Sequence, residues 1–455
     1  MKKKYLNIIS ALMLGAATLT SCESQLNLKP ISAIGTNGFY QNTQEVEAAT
    51  FAMYDGLQNT VLREFAFTEM RSDNAKSKNS EGDWGQFDNM NVSPTNGTLS
   101  TYWVDCYNVI FRANKVLASL EVVTDDASKK LFESEAKFVR ALMYFNLTRG
   151  FGDVPLITKV VVPGDLETTE RIATNTVYQQ IDQDLTEAIG SLPERGSIQE
   201  GRATKAAAQA LLAKVKLTTG DFTGAKTLLE AVMGNGDYSL MENYEDVFYS
   251  ELNSEIIFAI QFINDNAEES QDFSYEFTKL GKNTGLNYVT DDFKANVGAA
   301  DVKRTAVLYS PDDANENGKF ITSSADNRLC GNDWIVLRMA DVYLMYSEAV
   351  LAGAESTTDA GAVNAYNMVR ARAGMPTLDT GSTLTKQALL LERRVELGFE
   401  NHRLYDLVRF GVAEEVMGAF AAANGFPFNG TKLLLPIPQR EIDTSYGALK
   451  QNPGY

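Results

Sequence analysis

Histidine is almost absent from this sequence: His402 stands alone among 455 residues. A serine or cysteine triad is therefore tied to one position, and no Gly-x-Ser-x-Gly elbow accompanies it. No HExxH motif and no histidine cluster is available to hold zinc or iron. Neither GxxxxGK[ST] nor GxGxxG occurs, so nucleotide phosphates have no cradle. Cysteine is nearly as scarce. Beside Cys22 there are only Cys106 and Cys330, too few for a disulfide scaffold or a four-cysteine zinc site, and both sit in helix-like apolar patterns that predict buried free thiols. Basic residues are in deficit, with 41 Lys and Arg against 59 Asp and Glu, a formal charge of −18. Nucleic acid, which requires a basic face, is not an expected partner. The acidic residues offer many possible carboxylate pairs for glycoside hydrolysis, but their number is no evidence for it.

Long apolar runs are also missing, with one exception. Leu6 to Leu19 follows the basic trio Lys2, Lys3 and Lys4 and has signal-peptide length, too short to span a bilayer. The run ends in Leu19-Thr20-Ser21-Cys22, which resembles a bacterial lipobox. Residues 1–21 then read as a lipoprotein signal peptide, Cys22 as the acylated first residue of the mature chain, and residues 22–38 as a polar tether.

At 44 % hydrophobic and 22 % charged residues the chain has ample material for a core. Most of it reads as helix. Trp103, Tyr107, Ile110 and Leu117 recur at helical spacing, as do Phe138, Leu142 and Phe145. An Ala-rich helix runs to Gly220, Asp221 turns the chain, and a second amphipathic helix follows. Paired helices joined by such turns resemble tetratricopeptide repeats, starting near Ala136, Ala207 and Arg338, with long insertions between them. The expected fold is mostly α, a tetratricopeptide-like body with irregular insertions and minor β. Residues 39–225 form an N-terminal helical-repeat region and 226–455 a C-terminal region of the same body.

The insertions lack core-building pattern, and long unpatterned loops are often functional. Residues 71–97 hold Trp84 and Phe87 among Arg71, Asp73, Asn74 and Asp88. This mixture of aromatic faces and hydrogen-bonding groups suits a sugar ring, while a hydrophobic plug pinning the loop is the alternative for Trp84. A second insertion carries Phe273, Tyr275 and Phe277 at period two, as in a strand, followed by Tyr288. Tyr275 and Tyr288 are further ligand candidates, with strand packing as the alternative. Trp103 and Trp334 read as core.

Two other patterns read as structural. Asp313, Asn315, Asn317 and Gly318 match the first half of an EF-hand loop, but Ser324 stands where a bidentate Glu is needed. A hydrogen-bonded turn is expected there, with no metal and no cofactor. Arg393, Glu396, Glu400, Arg403, Asp406 and Arg409 follow at steps of three or four and predict an ion-pair ladder along one helix, with His402 a structural histidine in its midst.

"ERRVELGFENHRLYDLVRFG" and the terminal "LLPIPQREIDTSYGALKQNPGY" resemble the signatures of the SusD/RagB family of outer-membrane lipoproteins. "WIVLRMADVYLMYSEA" and "YWVDCYNVIFRANKVL" are similar to the same family. The resemblance implies a helical body and a non-enzymatic role. Such proteins bind a nutrient, usually an oligosaccharide, at the cell surface and act as the lid of a SusC-like TonB-dependent β-barrel transporter in the outer membrane. A peptide-binding lid of the RagB kind and, more remotely, a surface glycosidase are the alternatives. The resemblance transfers no ligand residue to a fixed position.

Overall fold

The computed structural model describes residues 40–455 except 80, 163–169, 265, 283, 284 and 323. Cys22, the signal segment and the tether lie outside the described residues.

Several of the long helices start at a side chain that satisfies otherwise orphaned backbone amides. Asn42 accepts the Glu45 amide (3.0 Å) to begin α1, Thr43–Thr68. A short helix α2, Gly82–Asp88, follows. Asn96 caps α3, Gly97–Ala118, and Asp125 caps α4, Asp126–Phe151. After α5, Thr174–Ile189, Thr204 caps α6, Lys205–Thr219. There the expected turn is found. Gly220 adopts a left-handed conformation (φ 82°), which glycine enters at little cost, and Asp221 caps α7, Phe222–Met233.

The helices stack in sequence, α1 on α3, α3 on α4, and so on to α7. The stack then jumps: α7 packs on α10, Met339–Leu351, which packs on α11, Ala360–Arg372. The boundary expected at residue 225 falls inside α7, so the two regions share that helix. The architecture is mostly helical with tetratricopeptide-like pairs, and its core includes Trp103 and Trp334. Cys106 and Cys330 are buried free thiols.

Between α7 and α10 the chain adds the short helices α8, Asp291–Asn296, and α9, Val302–Leu308, and most of the β structure. Strand β1, Ala75–Lys76, pairs antiparallel with β3, Tyr288–Val289, tying the first insertion to the second. Strand β2, Ile256–Ile260, pairs antiparallel with β4, Trp334–Arg338. The strand expected through Phe273, Tyr275 and Phe277 is corrected: Phe273–Glu276 is one helical turn. Phe273 and Phe277 then lie four residues apart and both enter the core, where Phe273 meets Trp334 and Phe277 meets Phe65 edge-on. Tyr275 points away and is half-buried. Helical spacing lets two rings share one apolar pocket, where alternation would have exposed or buried all three.

The expected ion-pair ladder is also corrected. Helix α12, Lys386–Glu396, stops, Phe399 and Asn401 take left-handed conformations (φ 68° and 67°), and α13, Arg403–Arg409, restarts. The charged groups face inward and find partners on distant elements. Glu396 meets Arg338 (2.7 Å), Arg304 (3.3 Å) and Arg372; Glu400 meets Lys319 and Arg338 (both 2.6 Å); Arg393 meets Asp406 and Asp341 (both 2.9 Å). Burial alone would raise the Glu396 carboxyl, but the guanidiniums of Arg372, Arg338 and Arg304 hold it down at about 2. His402 is pushed down to about 3 by burial, with Lys214 adding to the effect, so it is a neutral structural residue. The Asp313 string is a turn in which Asp313 accepts the Asn315 amide (3.0 Å) and Asn317 the Lys319 amide (2.9 Å). Among the described residues no group of three or more His, Cys, Asp or Glu is placed to hold a metal.

Candidate functional site

The first insertion, α8, α12 and α14 (Ala413–Asn424) enclose a cleft of about 850 Å³. This is within the range of ligand sites. Its floor is built by hydrogen bonding across the chain. Thr290 Oγ1 accepts the Phe293 amide (3.0 Å), starting α8, and donates to the Asp73 carbonyl (2.6 Å). Arg403, at the start of α13, grips the Asp73 carboxylate through Nε (2.7 Å) and Nη2 (2.8 Å). Arg394 donates from Nε to Asn74 Oδ1 (2.8 Å) and from Nη2 to Asp292 Oδ1 (2.6 Å), and lies 3.1 Å from Asp73 Oδ2. Burial would raise the Asp73 carboxyl, but Arg403 and then Arg394 outweigh it and hold it below the usual carboxylate range.

The walls are different in character. Helix α12 contributes Gln387, Leu390 and Leu391, and α14 contributes Glu415, Val416 and Phe420, with Phe426 just beyond its end. Phe420 and Phe426 are partly exposed rings 6.5 Å apart and inclined at 63°. The cleft thus combines aromatic and aliphatic surface with amide, carboxylate and ammonium groups. It can bind a ligand that has both C–H faces and many hydroxyls.

A family described as "SusD family" matches residues 302–455, and one described as "Starch-binding associating with outer membrane" matches residues 26–217. A solved laminarin binding SusD-like protein is 30 % identical, superposes with a TM-score of 0.76, and the match covers 91 % of this chain and 100 % of that one. The chain belongs to the SusD family. A SusD-like protein of Bacteroides ovatus is 28 % identical over 90 % of this chain and 82 % of its own. SusD-like protein P2 of Formosa agariphila is 26 % identical over 100 % of both chains.

In this SusD-family chain the sequence-predicted site residues separate into three groups. Asp73 and Asp88 line the cleft. Arg71, Asn74, Phe87 and Tyr288, expected from the sequence as ligand contacts, are buried in the body and do not line the cleft. Arg71 donates to the carbonyls of Lys432 (2.7 Å) and Leu433 (3.1 Å), and Asn74 lies between Glu69 and Arg394. Phe87 packs edge-on against Phe67, and Tyr288 is a strand residue whose hydroxyl meets Glu316 (3.3 Å). Each is an anchor that shapes the insertions, because a polar or aromatic loop must still bury something to hold a conformation. The third group is Trp84, half-buried and stacked on Phe65, and the half-buried Tyr275. Neither lines the cleft.

The C-terminal wall was not among the residues expected from the sequence. Its signal was present in "FAAANGFPF", Phe420 to Phe428, where three aromatic residues surround a helix-ending glycine amid small residues.

Proposed function

We propose that this SusD-family chain is a cell-surface glycan-binding lipoprotein that captures oligosaccharide and delivers it to a SusC-like TonB-dependent transporter of the outer membrane, with Cys22 as its lipid anchor. The observation that carries the reading is the cleft. It sets the partly exposed rings of Phe420 and Phe426 beside the exposed side chains of Gln387, Asn424, Asp291 and Glu415, a mixture matched to the C–H faces and hydroxyls of a sugar. The solved relative named as laminarin binding supports the same ligand class. No helix among the described residues is long and apolar enough to cross a membrane. Attachment therefore falls to the N-terminal cysteine in this reading, and Trp84 and Tyr275 remain candidate contacts for the outer part of a longer glycan.

The reading is of binding without turnover. Arg403 and Arg394 hold the Asp73 carboxyl below the usual carboxylate range, which disfavours it as the proton donor of a glycoside hydrolysis. The deciding experiment is calorimetry of the purified protein against a panel of oligosaccharides, with product analysis of the same mixtures. Saturable binding, no cleavage, and a several-fold loss of affinity in Phe420→Ala are expected. If no member binds, or if Phe420→Ala binds as well as the parent, the cleft is not the glycan site. Recovery of a large β-barrel protein with tagged material in mild detergent tests the transporter partnership.

A further inference from the structure

Five carboxylates and three cations line the cleft, and the cations are largely committed. Arg403 is paired at two points with Asp73, and both side chains are buried. Arg394 divides its donors among Asn74, the Asp73 carbonyl and Asp292. The charges of Asp73, Asp292, Arg394 and Arg403 therefore balance within the protein. Beyond that quartet the charged residues of the lining are Lys76, Asp88, Asp291 and Glu415, one cation and three carboxylates. Asp291 and Glu415 are exposed at the rim. Lys294, outside the lining, lies 3.6 Å from Asp291 and is itself bonded to Asn315 (2.6 Å). The chain as a whole carries −18.

We propose that this cleft selects uncharged oligosaccharides and rejects uronate-bearing or sulfated ones. The inference rests on the cleft being the glycan site, as proposed above. An anionic sugar entering it meets the exposed carboxylates of Asp291 and Glu415, with Lys76 as the one lining cation outside the quartet. To gain a guanidinium it must displace a carboxylate that already holds one. Displacing Asp73 leaves a buried charge without its partner, which is more costly than the new pair is favourable. The single accessible exchange is at Asp292, whose side chain is half-exposed while Arg394 is buried. Neutral hydroxyls need no such exchange: they can donate to the rim carboxylates and accept from Lys76 or Gln387.

Calorimetry with length-matched neutral, uronate-containing and sulfated oligosaccharides, at low and high salt, tests this. The neutral series should bind at least about tenfold more tightly than either anionic series at low salt, with the gap narrowing as salt rises. Asp292→Asn, which releases an outer N–H of Arg394 and leaves the Asp73–Arg403 pair in place, should raise the uronate-to-neutral affinity ratio several-fold. Glu415→Gln, at an exposed position, should raise it less, and melting curves establish that both variants are folded. Equal or tighter binding of the anionic series alongside neutral binding overturns the selectivity while leaving the glycan-binding reading intact. Failure of every series to bind overturns that reading, and the selectivity with it.

Discussion

Asp73 and Arg403 stand 330 positions apart in the chain and meet as a two-point ion pair, with N–O distances of 2.7 and 2.8 Å. The pair ties the loop after α1 to the start of α13 and thereby holds the floor of the cleft against its C-terminal wall. Asp73→Ala should cost about 3–5 kcal/mol, because it strands Arg403 and part of Arg394 without a counter-charge. Glycan affinity should fall with it. Replacing Asp73 and Arg403 together by apolar residues of similar size should recover part of the stability. Denaturant midpoints of the three variants check this, and a loss below about 1 kcal/mol in Asp73→Ala, as for an exposed pair, would refute the role assigned to it.

Trp84 lies flat on Phe65, with ring centroids 5.5 Å apart and planes 8° apart. Together with the edge-on Phe87–Phe67 pair it holds α2 on α1, and α2 also brings Asp88 to the cleft. Trp84→Ala should lower stability by about 2 kcal/mol, less than the 3–5 kcal/mol of a fully buried aromatic truncation, and Trp84→Phe should restore most of it. An unchanged melting temperature in Trp84→Ala, combined with lost glycan affinity, would instead make Trp84 a ligand platform.

Stability should depend on pH in two opposed windows. Glu64 is buried in α1, and burial, opposed by Arg149 and Lys214, pushes its carboxyl up to about 7. The unfolded chain releases this proton near its ordinary value of about 4.3, while the native state keeps it to about 7, so between these values stability falls as pH rises. Relative to the parent, Glu64→Gln should therefore be more favourable at pH 8 than at pH 5, by about 2 kcal/mol. Glu396 and Asp406 act in the opposite sense. Their carboxyls are held at about 2 by neighbouring guanidiniums despite burial, so their contribution is complete above the ordinary carboxylate range and is lost as pH falls toward 2. Urea midpoints of parent and Glu64→Gln across pH decide the first point; a pH-independent difference between them would remove Glu64 from the account.

Cys22→Ala should release the protein from the membrane fraction or leave the uncut precursor, since acyl chains on that thiol would be its attachment. Fractionation and N-terminal mass analysis provide the measurement. Normal cleavage with unchanged membrane retention would rule the anchor out.

What the sequence determined by itself is whatever depends on near neighbours. The Gly220–Asp221 turn, the capped helices, the buried Trp103 and Trp334 and the helical body all rest on signals within a few residues of where they act. The scarcity of histidine and the absence of phosphate loops likewise required no coordinates. Tertiary structure alone decided the destination of the charges and the position of the cleft. Arg393 to Arg409 has helical spacing, yet Phe399 and Asn401 break the helix and its ions pair with Arg304, Lys319, Arg338 and Asp341, none of which their spacing could disclose. Arg71, Asn74, Phe87 and Tyr288 looked like loop residues because a loop shows no period, but anchoring an irregular segment requires burial at irregular positions. The cleft joins residues 73–88, 290–296 and 387–426. Its walls come from separate stretches of chain brought together by the helix stack and the β1–β3 pair, and side chains that meet only across such contacts leave no mark in the local order of residues.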